Sequence, residues 1–250
     1  MIERDEQDGI VTLRLAHGKA SALDAELLEA LDAALDETER SGARALILTG
    51  SGSIFSAGVD LFRLTNDGAP YVERFYPVLV SAIRRLFGFP RPVVAALNGH
   101  AIAGGCVLAQ ACDFRIMAAG KGRIGVPELL VGVPFPPLVL EVMRFAAPPQ
   151  HLQQIVYSGQ TFLPEEALAK GLLDEVVDAD ALASRAHELA SKLAAINPAS
   201  FRLTKAQLRA DAIERAERMR WIDEEGRAIW SAPETHAHIR EYLARTVGKK

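Results

Sequence analysis

Apolar and polar positions follow two different periods along the first part of the chain. Residues 9–16, GIVTLRLA, alternate apolar with polar side chains, which predicts a strand with one buried face. From Asp24, apolar residues recur at helical spacing, so the pattern predicts an amphipathic helix with Asp24 as its N-cap and an end near Gly42. The continuous apolar runs at 43–52 and 92–100 predict two buried strands.

Further helices and strands fill the gaps between these elements. Residues 53–64 predict a loop with small residues at its centre, and residues 71–87 predict a second helix. The pair Gly104-Gly105 opens a short helix, and residues 113–120 predict another strand. Because strands alternate with helices in this way, we expect an α/β fold with a parallel sheet joined by crossover connections.

The rest of the chain is predicted to be mainly helical. Residues 123–135 predict a strand and a turn, after which helical patterns continue to the end. The dipeptide Asn197-Pro198 marks a break before the last helices. We therefore divide the chain into a core, residues 1–196, and a C-terminal helical region, residues 197–250.

Composition narrows the classes of function. The 250 residues are 49% hydrophobic and carry a net charge of -4 without a basic stripe, which argues against a nucleic-acid partner. Cys106 and Cys112 lie in one apolar segment, which predicts two free buried thiols and no disulfide framework or metal site. The charged N-terminus, the lack of a long apolar run and the unremarkable C-terminal GKK predict a cytoplasmic protein that does not bind membranes.

Two glycine-rich turns follow buried strands. One is SAGVD, residues 56–60, and the other is AGG, residues 103–105, at the start of a predicted helix. Backbone N–H groups at such turns could converge on one oxygen atom as an oxyanion hole. Glycines after strands also serve simple turn geometry and close packing, so the turns alone leave both interpretations open. Neither GxGxxG nor GxxxxGK[ST] is present, which disfavours the usual routes of nucleotide binding.

Taken in order, these stretches resemble the crotonase superfamily, that is, the enoyl-CoA hydratase/isomerase family, over nearly the whole chain. The matching segments are IFSAGVDL (54–61), similar to the first oxyanion loop of the family; PVVAALNGHAIAGGCVLAQACDFRIMA (92–118), similar to the second; GVPELLVGVPF (125–135), similar to the catalytic-glutamate segment; and SGQTFLPEEALAKGLLDEVV (158–177), similar to the helical stretch after the core.

The resemblance implies a fold, an assembly and a common chemistry. The fold is the ClpP-like spiral of ββα units, with a C-terminal helical region that assembles subunits into a homotrimer or a hexamer. The chemistry is stabilisation of a CoA thioester enolate by two backbone N–H groups, which by position belong to Val59 and Gly104. The implied partner is an acyl-CoA thioester, with no metal and no cofactor besides the coenzyme A of the substrate.

The resemblance also implies which residues contact the substrate. Lys19 and Arg63 lie in loops that pass near the coenzyme A, although solvated surface cations explain them equally well. The residues expected to contact the substrate or its coenzyme A are Ala20, Ala22, Ser56, Ala57, Gly58, Asp60, Leu61, Gly105 and Val107.

The chain departs from the hydratase pattern at one catalytic position. Hydratases of the family hold a water between two glutamates, and here Val107 occupies the first position while Glu128 matches the second. The mitochondrial isomerases that convert 3-enoyl-CoA to 2-enoyl-CoA resemble this chain more closely, because they also use a single glutamate. One carboxylate can move a proton between the α and γ carbons, and apolar neighbours such as Val126, Leu129 and Val133 are expected to raise its pKa.

Three alternatives remain open on the sequence. The protein could be a hydratase of weak or altered activity, with water activated by Glu128 alone. It could also be a crotonase-fold protein that binds acyl-CoA without catalysis. Without the resemblance, Glu128 would be read as a solvated surface carboxylate. Glu141, on the next predicted helix, is a possible substitute acid, but we expect it to be an exposed helix charge.

Overall fold

The computed structural model describes residues 1–246 and builds them from two sheets with helices packed around them. The strands are β1 (Ile2–Gln7), β2 (Ile10–Leu15), β3 (Ala45–Gly50), β4 (Ile54–Ser56), β5 (Val93–Leu97), β6 (His100–Ile102), β7 (Phe114–Ala118), β8 (Ile124–Gly125), β9 (Thr161–Phe162) and β10 (Glu175–Val177). The helices are α1 (Ala25–Arg40), α2 (Leu61–Phe87), α3 (Gly104–Ala111), α4 (Glu128–Val131), α5 (Pro137–Ala146), α6 (Pro149–Ser158), α7 (Pro164–Ala169), α8 (Leu182–Ala194), α9 (Pro198–Arg218), α10 (Arg220–Ser231) and α11 (Pro233–Thr246). The C-terminal GKK lies outside the described residues.

The larger sheet has the strand order β1-β2-β3-β5-β7-β10. All of its pairs are parallel except β1 with β2, and its central strands β3 and β5 are fully buried. The smaller sheet has the order β4-β6-β8-β9, with only the last pair antiparallel. The α/β fold with a mostly parallel sheet and helices at the C-terminal end is therefore confirmed. Parallel strands are buried on both faces by crossover helices, which explains their continuous apolar runs.

The first strand was absent from the sequence prediction. Strand β1 forms an antiparallel hairpin with β2, and the two turn residues Asp8 and Gly9 have φ values of 54° and 74°. Two left-handed residues in a two-residue turn are typical of a type I′ hairpin, for which Asp-Gly is a strong signal. The strand IERDEQ is almost entirely exposed at the sheet edge, so its side chains carry no apolar alternation. The Asp-Gly turn therefore indicates this hairpin, whereas the apolar periodicity does not.

The second helix is longer than predicted. It begins at Leu61, where the Asp60 carboxylate accepts a hydrogen bond from the Arg63 N–H at 3.0 Å, and continues to Phe87. Gly68, with φ 68° and ψ -157°, kinks the helix between the predicted loop, residues 53–64, and the predicted helix, residues 71–87. The prediction of a loop over residues 53–64 was therefore wrong at both ends, since β4 lies within it and α2 begins before its end.

Side chains cap two helices, one at the predicted N-cap Asp24 and one at the predicted break Asn197-Pro198. The Asp24 carboxylate accepts a hydrogen bond from the Leu27 N–H at 2.8 Å and starts α1. The Asn197 side chain accepts from the Ala199 and Ser200 N–H groups, both at 3.1 Å, and starts α9 at the predicted break. Such caps satisfy N–H groups that have no partner inside the helix.

A buried ion network joins the C-terminal helices to the core. Asp113, just before β7, contacts the Lys205 ammonium and the Arg209 guanidinium of α9, each at 2.7 Å. Its carboxylate also accepts a hydrogen bond from the Val93 N–H at 2.7 Å. Desolvation lowers the pKa of Lys205 to about 8, although the Asp113 charge opposes that shift. The division at residue 196/197 stays a prediction, but this network defines how α9 is held.

Two further sequence expectations concern the thiols and the membrane. Cys106 and Cys112 are both free and buried, as predicted, and burial raises the pKa of each thiol. Buried thiols of raised pKa are chemically inert. In the range 1–246, no helix combines the length and the apolar character needed to cross a bilayer.

Candidate active site

The loop between β4 and α2 leaves one backbone donor free. The Leu23 N–H donates to the Gly58 carbonyl at 2.8 Å, and the Asp60 N–H donates to the Leu23 carbonyl at 3.0 Å. These two hydrogen bonds join the residues on either side of Val59 to the backbone of Leu23. Among the described residues, no backbone carbonyl accepts from the Val59 N–H.

The loop between β6 and α3 presents a second donor. Gly104 is the first residue of α3, so its N–H has no acceptor within the helix. The preceding residue, Ala103, has φ 51° and ψ -125°, an unfavourable conformation for a residue with a Cβ atom. The Ala103 N–H is fixed by a 2.8 Å hydrogen bond to the Gly125 carbonyl. The strained conformation of Ala103 is thus fixed by a hydrogen bond directly before Gly104, whose N–H has no acceptor in the helix.

Glycines allow the two loops to touch. A Cβ atom on Gly58 would lie 2.6 Å from the Ile102 carbonyl oxygen and 3.1 Å from the Gly104 nitrogen, and Gly58 also has φ +83°. A Cβ atom on Gly105 would overlap the Ser56 carbonyl. Because real Cβ atoms do not approach backbone so closely, these positions require glycine if the loops are to stay in contact.

Glu128 is buried at the start of the short helix α4. Its residue exposure is 8%, and its Oε2 atom has no hydrogen-bond partner in the described part of the chain. Burial raises the pKa of this carboxyl from 4.5 to about 8. Buried polar atoms nearly always have partners, so an orphaned carboxylate oxygen indicates a site for a reacting group. The interpretation of Glu128 as a solvated surface charge is wrong.

A cavity of about 100 Å³ brings Glu128 together with the two free donors. Its wall comes from both loops, from α2, α3, α4 and α5, and from α10 and α11. The predicted residues among its lining are Ala57, Val59, Leu61, Gly104, Val107 and Glu128. The other lining residues are Leu79, Ile83, Ile102, Ala103, Pro127, Val131, Val133, Phe135, Pro136, Val139, Trp230 and Tyr242.

The other predicted residues lie outside this lining. Ser56 is buried, and its hydroxyl donates to the Ser21 carbonyl at 2.7 Å. The Ala20 carbonyl accepts from the Ala57 N–H at 3.0 Å, which ties the segment with Ala20 and Ala22 to the first loop. The residues in this group are Ala20, Ala22, Ser56, Gly58, Asp60 and Gly105, and their contact with a substrate stays a prediction.

The two basic residues of the sequence analysis have different surroundings. Lys19 is exposed. Arg63 forms ion pairs with Glu26, Asp24 and Asp67, and its hydrogen bond to Glu26 is the main cause of its raised pKa. Arg63 is therefore a partner in a charge cluster and not an isolated solvated cation.

The neighbours of Glu128 differ in part from those expected. Val107 is fully buried and Val133 nearly so, and both line the cavity. Leu129 is 42% exposed, so the expectation that it surrounds the carboxyl was wrong. Helix α4 has only four residues, and its outer side faces away from the cavity. The apolar environment is supplied instead by Val131 of α4 and by residues of other elements.

Glu141 is not the exposed helix charge that was expected. Its side chain is 1% exposed and pairs with Arg144 at 3.1 Å and with Arg215 of α9 at 2.7 Å. It does not line the cavity. A buried carboxylate satisfied by two guanidinium groups is structural, so Glu141 is not a substitute acid.

Two aromatic residues of the C-terminal helices, which no sequence pattern indicated, belong to the site as well. Trp230 of α10 and Tyr242 of α11 line the same cavity as Glu128, and the Trp230 Nε1–H donates to the Pro134 carbonyl at 2.9 Å. More than 100 residues separate each of them from Glu128 in sequence, and no local motif marks them. The C-terminal helices thus close the cavity of their own chain.

Comparison with known proteins gives consistent results over the whole chain. A sequence profile described as enoyl-CoA hydratase/isomerase matches residues 5–247. A putative enoyl-CoA hydratase of Thermus thermophilus is 35% identical over 196 residues, which cover 77% of either chain. Mouse enoyl-CoA delta isomerase 1, a mitochondrial protein, is 31% identical over 212 residues, covering 84% of this chain and 73% of the mouse protein.

Solved structures agree with these sequence matches. The human mitochondrial delta3-delta2-enoyl-CoA isomerase superposes with a TM-score of 0.94 at 25% identity and covers 100% of this chain and 99% of its own. The apo structure of a Mycobacterium tuberculosis enoyl-CoA isomerase has a TM-score of 0.80 at 34% identity, covering 86% of this chain and 94% of its own.

Proposed function

The chain belongs to the enoyl-CoA hydratase/isomerase family and is an enzyme of that family with the crotonase fold; from this premise we propose that it isomerises 3-enoyl-CoA thioesters to 2-enoyl-CoA thioesters. The observation that carries this proposal is that, among the described residues that line the cavity, only Glu128 carries a carboxyl group. Glu128 has an unpartnered oxygen there, while Val107, which also lines the cavity, stands by resemblance at the position of the other catalytic glutamate of hydratases.

In the proposed reaction, Glu128 acts as the only acid and base. Its carboxylate removes a proton from the α carbon of the thioester, and the electron pair of that C–H bond enters a dienolate. The protonated carboxyl then returns the proton to the γ carbon, which leaves the double bond between the α and β carbons. No water is consumed, so one carboxylate that reaches both carbons suffices.

The two loop donors would stabilise the dienolate oxygen. The Val59 and Gly104 N–H groups are free of backbone acceptors, and the loops that carry them touch at Gly58. Negative charge that develops on the thioester oxygen would be met by two fixed donors, each contributing about 3 kcal/mol to the transition state. The position of Gly104 at the N-terminus of α3 adds favourable helix-dipole potential.

The part of the cavity wall formed by residues 1–246 holds no second carboxylate, which favours isomerisation over hydration. Val107 is fully buried and lines the cavity beside Glu128 with a side chain that neither accepts a proton nor binds water. An apolar wall also keeps water from quenching the dienolate. Relatives named as hydratases, such as the Thermus thermophilus protein, support the second candidate, which is hydration of 2-enoyl-CoA with water activated by Glu128 alone.

The test is the Glu128→Gln variant assayed with both substrates. Incubation of the native enzyme with 3-enoyl-CoA should give 2-enoyl-CoA, and incubation with 2-enoyl-CoA should give little 3-hydroxyacyl-CoA. The variant should lose at least 10³-fold in isomerisation rate, since the only proton carrier is gone, while its affinity for a saturated acyl-CoA stays nearly unchanged. Undiminished turnover by the variant would refute the mechanism, and a dominant hydroxyl product would favour hydration.

Three further expectations from the sequence analysis stay proposals. We propose that the enzyme is a homotrimer or a hexamer, that it works in the cytoplasm, and that it needs no cofactor besides the coenzyme A of its substrate. Exposed apolar side chains on α9 and α10, namely Leu203, Leu208 and Trp221, support association through the C-terminal region. Sedimentation analysis of the full chain measures the first of these.

A further inference from the structure

The cavity that contains Glu128 has few polar side chains. Among its lining residues, only Glu128, Trp230 and Tyr242 carry side-chain nitrogen or oxygen atoms. The Trp230 indole N–H is already bound to the Pro134 carbonyl at 2.9 Å. In contrast, no hydrogen bond joins the hydroxyl of the half-buried Tyr242 to a group in residues 1–246, and this hydroxyl stays accessible to solvent or to a ligand. It is therefore the one neutral side-chain donor of the described cavity wall that is free to bind a ligand.

Helix α11 is fixed against α4 one turn before Tyr242. His238, one turn before Tyr242, donates from Nε2 to the Leu130 carbonyl of α4 at 3.0 Å. The His238 ring also packs on Gly132, where a Cβ atom would lie 2.7 Å from the imidazole Cδ2. Residues four apart on a helix share a face, so the same face of α11 that contacts α4 carries Tyr242. Ile239, between them, is fully buried.

The state of the hydroxyl follows from its surroundings. Burial, together with the charge of Glu128, raises the pKa of Tyr242, so the phenol stays protonated and able to donate at neutral pH. An unsubstituted hydrocarbon chain in the cavity would cover this hydroxyl without giving it a partner. Leaving a buried donor unsatisfied costs about 1–3 kcal/mol, whereas a ligand oxygen in reach would recover that loss.

We propose that Tyr242 is a specificity-determining residue whose hydroxyl binds an oxygen atom on the acyl group, so that the preferred substrates are acyl-CoA thioesters with a hydroxyl or keto oxygen on the acyl chain. This inference rests on the proposed function, because it requires the acyl group of a thioester to occupy the cavity. It names a substrate class that the family match alone leaves undefined. Recognition of this kind discriminates well, since the analogue without the oxygen leaves the tyrosine unpaired.

The experiment compares binding of saturated thioesters, which cannot be isomerised. Pentanoyl-CoA, 3-oxopentanoyl-CoA and 4-oxopentanoyl-CoA are titrated by calorimetry at pH 7 into the native enzyme and into Tyr242→Phe. The native enzyme should bind at least one oxo thioester about 10-fold more tightly than pentanoyl-CoA, and the variant should lose this preference. Affinity for pentanoyl-CoA should change less than 2-fold, because phenylalanine keeps the ring and removes only the hydroxyl.

A matched control is Tyr157→Phe, which removes a hydroxyl from an exposed tyrosine of α6 outside the cavity and should leave every affinity unchanged. Equal affinity of the native enzyme for all three thioesters would overturn the inference, as would a preference that survives in Tyr242→Phe. In both cases the thioesters still bind, so the proposed function stands. Failure of all three thioesters to bind the native enzyme would overturn the proposed function and this inference together.

Discussion

At the scale of the residue, the protonation state of Glu128 controls the proposed reaction. Burial among apolar groups disfavours the carboxylate, and the pKa is raised to about 8 as a result. A base with a pKa near the working pH can both accept and return a proton efficiently. The same burial that raises the pKa of this carboxyl also destabilises the folded state, since its Oε2 atom has no partner among the described residues.

The raised pKa predicts how the rate depends on pH. The carboxylate form is required to remove the α proton, so kcat/KM for 3-enoyl-CoA should rise as the pH increases and level off above about 8. Rates measured from pH 5 to pH 10 check this expectation. A profile that levels off near pH 5, the ordinary range of a glutamate, would contradict the raised pKa of Glu128.

The same shift predicts a pH-dependent stability difference. Between pH 4.5 and about 8 the folded state holds a proton on Glu128 that the unfolded state has released, so the stability of the native enzyme falls across this range. Glu128→Gln does not titrate there and should become more stable than the native enzyme by a few kcal/mol, about 2–4, at pH 9. Urea unfolding of both proteins at pH 4.5 and pH 9 measures the difference. If the stability difference between the two proteins were the same at pH 4.5 and at pH 9, the raised pKa of Glu128 would be contradicted.

At the scale of the element, the approach of α3 to the first loop sets the spacing of the two donors. Gly105 lies against Ser56, and the strained Ala103 positions the Gly104 N–H next to it. Position 105 needs glycine because a side chain would overlap the Ser56 carbonyl. Its backbone is not left-handed, so conformational freedom is not the reason. The geometry of the site therefore depends on the packing of two short segments.

Gly105→Ala is expected to disturb this spacing. The new Cβ atom would overlap the Ser56 carbonyl, so α3 must shift away from the loop, at a cost of about 1–3 kcal/mol in stability. A displacement of about 1 Å between donors can reduce the rate about 100-fold, so kcat should fall while the enzyme remains folded. Steady-state kinetics and urea unfolding report the two effects separately.

Gly88→Ala provides the matched control for this prediction. Gly88 has φ -86°, lies at the C-terminal end of α2, and a Cβ there would meet only the Arg84 carbonyl oxygen, at 3.2 Å. Its kcat should match that of the native enzyme. If Gly105→Ala and Gly88→Ala had the same kcat, contact between α3 and the first loop would not determine the donor geometry.

At the scale of the whole molecule, the active cavity depends on how the C-terminal helices dock. Helices α10 and α11 supply Trp230 and Tyr242 to the cavity, and they follow α9, which the core holds through Asp113. The Arg209 guanidinium also contacts the Ala111 carbonyl at 3.2 Å and packs on the Phe87 ring. The Asp113 carboxylate therefore links the start of β7 to α9, and α9 leads into the two helices that close the site.

Removal of this carboxylate should destabilise the fold strongly. Asp113→Ala leaves the charges of Lys205 and Arg209 buried without their partner, which should cost about 3–5 kcal/mol in urea unfolding. Arg84→Ala breaks the exposed pair between α2 and Glu217 of the same α9 and should cost no more than about 1 kcal/mol. Similar losses in the two variants would mean that Asp113 is not the anchor of α9.

Local sequence patterns were enough to predict the elements that depend on contacts between residues close together in the chain. The buried strands, the Asp24 cap, the break at Asn197-Pro198 and the small-residue turns are local patterns. The order of the glycine loops and Glu128 resembled one family strongly enough to predict the fold. The strand β1 was missed, because an exposed edge strand needs no apolar alternation.

Only the tertiary structure decided which distant groups share the cavity. It placed Trp230 and Tyr242 beside Glu128, turned Leu129 toward the surface, and buried Glu141 between two arginines. None of these outcomes has a local sequence signal, because burial and charge pairing depend on contacts between segments far apart in the chain. A carboxylate is exposed, structural or reactive according to the groups packed around it, and those groups are brought together only by folding.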